Sequence, residues 1–147
     1  MNKHQIAAEK YLSQVNKIHL SIESKIKLIE ELHDLATKAT ATISDMPKAP
    51  SKSTSRMEDV VIRIVDLEAD IHKDMIRLVE LERDIINRIR RVGEYQDNLQ
   101  VVLELRYLSR MDWEDISSKM GYGLDNVYYL HRRALQLVEL PDNFTAD

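Results

Sequence analysis

The chain has 147 residues, with 21 Lys and Arg against 25 Asp and Glu for a formal net charge of −4, and it is 31% charged and 44% hydrophobic. That length favours one domain with an extension, and three glycines and three prolines favour long helices over an all-β architecture. No cysteine occurs, which excludes disulfides, thiolate zinc sites and cysteine nucleophiles and agrees with a reducing compartment. No apolar run reaches signal-peptide length at Met1–Leu12 or the roughly 18 residues of a membrane span, so the expectation is a cytoplasmic protein without a membrane partner.

The N-terminal two-thirds is the most regular part. Ala8, Val15, Ile22, Ile29, Ala36 and Ile43 recur every seven residues, and Tyr11, Ile18, Lys25, Leu32, Ala39 and Met46 follow each by three. A second series repeats this with Met57, Ile64, Ile71, Leu78, Ile85 and Val92, followed by Val60, Leu67, Asp74, Leu81, Arg88 and Tyr95. Sustained heptads predict two long helices, 3–45 and 57–92, packed as a coiled-coil-like hairpin.

Asn2 with Gln5, and Ser55 with Glu58, have the spacing of capping boxes at the two helix starts. Pro47–Ser55 has no apolar period, so residues 46–56 are expected to form the linker. Arg88, Arg90 and Arg91 before Gly93 complement the negative end of the second helix. A helix from Ser55 to Val92 would be about 55 Å long. Lys25 and Asp74 fall within about one turn of each other in an antiparallel hairpin, either as a register-fixing buried pair or as edge residues that stay solvated. Val61, Met75 and Ile89 widen the second stripe beyond a two-stranded seam, which predicts a homodimer or higher oligomer through the 3–45 and 57–92 helices.

Residues 98–109 supply Leu99, Val102, Leu103 and Tyr107 on one face, a third helix for a small C-terminal core. Asp112 then caps a helix whose first turn holds Asp115. Ile116 and Met120 lie on one face of it, and Trp113 is expected in the core. Gly121 can take the left-handed backbone of a helix end, and Gly123 gives a second permissive point before the next helix. That helix, 124–138, carries Val127, Leu130, Ala134 and Val138 on one stripe. Helix, glycine turn, helix at this spacing is the pattern of a DNA-reading helix-turn-helix. The expected organisation is therefore all-α: a helical hairpin over 1–95, a three-helix module over 96–140, and a tail, 141–147, whose Phe144 is expected either to be disordered or to dock on the module.

The string Leu103-Glu104-Leu105-Arg106-Tyr107-Leu108, then Asp112-Trp113-Glu114-Asp115-Ile116, Gly121, Val127 and His131-Arg132-Arg133-Ala134-Leu135, resembles region 4 of bacterial sigma factors. More closely, it resembles the ArpU/RinA-type regulators encoded by phages of Gram-positive bacteria. The resemblance spans about forty residues, 99–138, with Ser117 and Gly123 where sigma factors commonly carry Ala and Ser. It implies a transcriptional regulator, an activator of phage or prophage late genes, working in the bacterial host cytoplasm, with RNA polymerase as a second contact. A complete sigma factor would need another domain, rich in aromatic residues, to open the promoter. The heptad half offers no such surface.

With Val127 and Ala134 turned inward, the outward face of helix 124–138 carries Asp125, Asn126, Tyr129, Arg132 and Arg133. Asn pairs with adenine and Arg with guanine in bidentate geometry, so these are the candidate base readers in double-stranded DNA. Arg110 and Lys119 are the candidate phosphate contacts. Against this stands charge: residues 98–147 hold eight acids and five Lys and Arg, a balance of −3. That balance suits an alternative, a sigma-like interaction protein that binds polymerase or another regulator without reading DNA. A DNA-packaging recognition subunit also joins a helix-turn-helix to an oligomerising part. No catalytic residues, cofactor or metal are expected. Glu30 and His33 form one Glu-x-x-His step without a second copy, since Glu68 and His72 are four apart, and His131 reads as a packed or capping histidine.

Overall fold

The computed structural model describes residues 1–45 and 50–145, with side chains over 1–38 and 55–145. Among these residues the chain is all-α: α1 (Lys3–Leu12), α2 (Gln14–Asp45), α3 (Pro50–Gly93), α4 (Asp97–Leu103), α5 (Trp113–Met120) and α6 (Leu124–Leu137). A single π-helical turn, Glu104–Leu108, follows α4. The long N-terminal helix and α3 form a hairpin, as the heptads predict. No described helix is long and apolar enough to cross a membrane.

Several boundaries differ from those expected. The first helix is interrupted at Ser13, so it forms α1 and α2. Asn2 makes the predicted capping box, its side chain accepting from the Gln5 backbone N–H while Gln5 Oε1 accepts from the Asn2 N–H, both at 2.8 Å. The Ser55 box does not form at a helix start, because α3 already begins at Pro50. Proline at a first helical position loses no hydrogen bond, which lets the helix start upstream of the serine. Residues 46–49 of the expected linker lie outside the described residues, while 50–56 are helical. The predicted helix over 98–109 is α-helical only to Leu103 before it widens into the π turn.

The chain forms two compact units. One is His19–Arg77, in which α2 and α3 bring Ile22 and Leu32, Ile64 and Ile71 into buried positions. Here Lys25 Nζ meets Asp74 Oδ2 at 2.6 Å, a half-buried ion pair rather than two solvated edge residues.

The other unit is Met1–Ile18 with Leu78–Asp147, so the C-terminal helices share a core with α1 and the end of α3. Leu12, Val15, Ile85, Ile89, Leu99, Leu103, Ile116, Val127 and Leu135 are fully buried in it. Ile89, expected on an oligomeric face, is only 1% exposed and belongs to the buried core of this unit. Tyr95 leaves the predicted stripe: α3 ends at Gly93, and Tyr95 is 70% exposed. Met120 is only half-buried. Tyr11 donates to Asp84 Oδ2, and Arg88 Nε reaches the same oxygen at 2.7 Å. Burial opposes ionisation of Asp84, but the hydrogen bonds from Arg88 and Tyr11 win and hold its carboxyl below the ordinary range. Phe144, expected to be disordered or docked on the C-terminal module, packs edge-on against Tyr11 of α1 with ring centroids 5.1 Å apart.

Candidate nucleic-acid interface

Local chemistry sets the α5–turn–α6 geometry. Asp112 Oδ1 accepts from the Asp115 N–H at 2.9 Å, and Glu114 and Asp115 place negative charge in the first turn of α5. Gly121 closes the helix at φ 75°, a left-handed conformation that costs a side-chain-bearing residue roughly 1–2 kcal/mol. Its N–H bonds the Ser117 carbonyl at 3.0 Å, and the Ser117 hydroxyl donates to the Tyr122 carbonyl. Asn98 Nδ2 donates to the Tyr122 hydroxyl at 2.9 Å, which ties the turn back to α4. Gly123 caps α6 at φ −67°, an ordinary value, so its position does not require glycine.

Val127, Leu130, His131, Ala134 and Leu135 are the buried stripe of α6, and Asp125, Asn126, Tyr129, Arg132 and Arg133 are all exposed. The five predicted base readers therefore lie on the open side of one helix. Arg132 differs from the others. Its carbonyl accepts from Gln5 Nε2 at 2.9 Å, and its side chain lines a cavity of about 300 Å³ with Glu9, Arg106, Trp113, Tyr128 and His131. α1 reaches the end of the same helix through Asn2 Nδ2 to Gln136 Oε1 at 2.5 Å and His4 Nε2 to the Val138 carbonyl at 2.8 Å. The N-terminal half of α6, with Asp125, Asn126 and Tyr129, receives none of these contacts. Lys119 is exposed in the last turn of α5, and Arg110 is exposed just before α5, with φ 56°.

The packed side of the module holds a feature that sequence reasoning missed. Trp113 is half-buried rather than a core residue: the Arg106 guanidinium lies over its ring at 4.3 Å, and Tyr128 and His131 meet it edge-on at 5.2 and 4.6 Å. His131 is buried, as expected for a packed histidine, and its Nε2 is 2.7 Å from the Tyr107 hydroxyl. Burial, reinforced by the positive charges of Arg106 and Arg132, lowers its pKa to about 4, so the ring is neutral at pH 7. Burial, with Glu9 nearby, pushes the Tyr107 hydroxyl well above the usual tyrosine range. No family model, curated protein or solved structure matches this chain. Among the described residues no group of three His, Asp or Glu is placed to hold a metal ion.

Proposed function

We propose that the chain is a sequence-specific DNA-binding transcriptional regulator, an activator of phage or prophage late genes in the bacterial cytoplasm, which reads the major groove with α6. The observation that carries this reading is the capped α5, the left-handed Gly121 and an α6 whose apolar side is buried while Asp125, Asn126, Tyr129 and Arg133 face outward. An exposed α-helix of this kind fits the major groove, and Asn and Arg at its surface can make bidentate contacts to adenine and guanine. Arg110 and Lys119, on either end of α5, would position the module on phosphates. The resemblance to sigma region 4 and to ArpU/RinA-type regulators supports the same reading.

Selection of bound duplexes from a random pool tests it, with wild type compared against Asn126→Ala/Arg133→Ala at two salt concentrations. An enriched motif that the variant loses is the expected result, with affinity falling steeply as salt rises. No enrichment by a folded wild type would overturn it. A second reading, an interaction protein that binds RNA polymerase or another regulator without reading DNA, is favoured by the −3 balance of residues 98–147.

The regulator is proposed to be a homodimer. In the His19–Arg77 unit, α3 leaves Ile62, Val65 and Ile76 exposed at 57%, 56% and 50%, with Val61 and Met75 beside them. Ile62, Val65, Ala69, His72 and Ile76 are spaced three, four, three and four, a second heptad series on the side of α3 opposite the buried one. A helix of matching period would cover it, and a symmetric dimer supplies one from the same face of a second copy. Two such modules suit half-sites about 34 Å apart.

A further inference from the structure

Three departures from regular helix in the Met1–Ile18/Leu78–Asp147 unit gather around one pair of cavities. The backbone breaks between α1 and α2 at Ser13, widens into the π turn Glu104–Leu108, and turns left-handed at Arg110, φ 56°. The π turn is closed by the Ser109 N–H on the Glu104 carbonyl at 2.9 Å, and Arg106 Nη1 donates to the Met111 carbonyl at 2.9 Å across Arg110. Such features lower stability and concentrate at functional sites. Here each places a side chain in the same lining: Ser13, Arg106 with Tyr107, and Arg110 line a cavity of about 120 Å³ together with Asn16. The cavity of about 300 Å³ shares Ser13, Arg106 and Tyr107 and adds Met1, Glu9, Trp113, Tyr128, His131 and Arg132.

We propose that the two cavities together bind a mononucleotide, its phosphate among Ser13, Asn16, Arg106 and Arg110 and its planar ring beside Trp113 and Tyr128. The smaller cavity offers a hydroxyl, an amide and two guanidinium groups but no carboxylate, a donor set suited to a phosphate. The larger offers an aromatic wall, Tyr128 beside Trp113, whose ring carries Arg106 over one face at 4.3 Å, and a planar base would lie along it. It also offers Glu9, which accepts from ring N–H or amino groups, and Arg132, which donates to ring oxygen or nitrogen. Three guanidinium groups face one carboxylate across the pair, a local excess of positive charge in a chain whose net charge is −4. A nucleoside monophosphate matches that excess.

Trp113 is the only tryptophan in the chain and reports on its own site. Its emission in the full-length protein is titrated with GMP, with guanosine and with inorganic phosphate, in the absence of DNA. The expected result is a saturable change with GMP about tenfold or more tighter than with guanosine or phosphate. Arg110→Ala and, separately, the exposed Asn16→Ala should reduce GMP affinity toward that of guanosine and leave guanosine binding unchanged. Thermal melts alongside show whether either variant is folded. No saturable change at millimolar GMP, or phosphate binding as tightly as GMP, would overturn the proposal. So would a Trp113 response to short duplex DNA but not to GMP, which would make the cleft a backbone contact. Because the GMP titrations contain no DNA, their failure leaves the DNA-reading proposal standing, and the reverse also holds.

Discussion

Acidification should destabilise this protein through one side chain. His131 titrates near pH 6.5 in the unfolded chain but is lowered to about 4 in the fold, by burial and then by Arg106 and Arg132. Tyr107, Trp113 and Tyr128 are the other side chains around it, and Glu9 is the one carboxylate lining the same cavity. Between these two pH values the unfolded chain binds a proton that the folded one rejects. Stability is therefore fully present above about pH 6.5 and is lost as pH falls toward 4. The full difference is about 3 kcal/mol, of which about 2 kcal/mol is lost between pH 7.5 and pH 5. That window lies above the region where Asp84, whose carboxyl is held low, contributes.

The assay is urea unfolding followed by helical circular dichroism at pH 7.5, 6.5 and 5.0, at one protein concentration so that self-association does not enter. His131→Gln keeps a hydrogen-bonding group for Tyr107, does not titrate, and retains the four other histidines. The variant should be less stable than wild type at pH 7.5, and its loss on going to pH 5 should be smaller by about 2 kcal/mol. A wild type that loses less than about 0.5 kcal/mol over that range, or a variant that loses as much as wild type, would refute the reasoning.

Removing the α5 cap with Asp112→Ala should cost about 1 kcal/mol, and Gly121→Ala a similar amount through its left-handed backbone, both seen as lower urea midpoints at unchanged slope. The exposed heptad series of α3 predicts that Ile62→Glu/Ile76→Glu converts a dimer to a monomer in sedimentation equilibrium without loss of helix signal. A wild type that is monomeric at micromolar concentration would sink the dimer. Lys25→Ala/Asp74→Ala cycles should show a coupling of up to about 1 kcal/mol, since the pair is half-buried and partly screened.

The features legible in the sequence are those set by near neighbours along the chain. Heptad spacing placed two long helices and their buried faces, because a side chain three or four residues on lies on the same side of a helix whatever else the chain does. Asn2–Gln5 and Asp112–Asp115 were readable as caps, and Gly121 as a left-handed stop, since each is completed within a few residues. The open face of α6 followed from the same periodicity. Tertiary packing decided the rest. Ile89 is core within the Met1–Ile18/Leu78–Asp147 unit, while the exposed Val61 and Met75 have the same apolar character and lie on the same helix. Lys25 and Asp74 pair only because the hairpin sets their register. The break at Ser13, the π turn and left-handed Arg110 have no local signature, and Arg106, within that turn, meets Trp113 seven residues on. Phe144 is held by Tyr11 from the far end of the chain, and Arg132 shares its cavity with Glu9 of α1. Periodicity says which side of a helix is apolar. Only the fold says which partner covers it, and therefore which exposed groups are left to act.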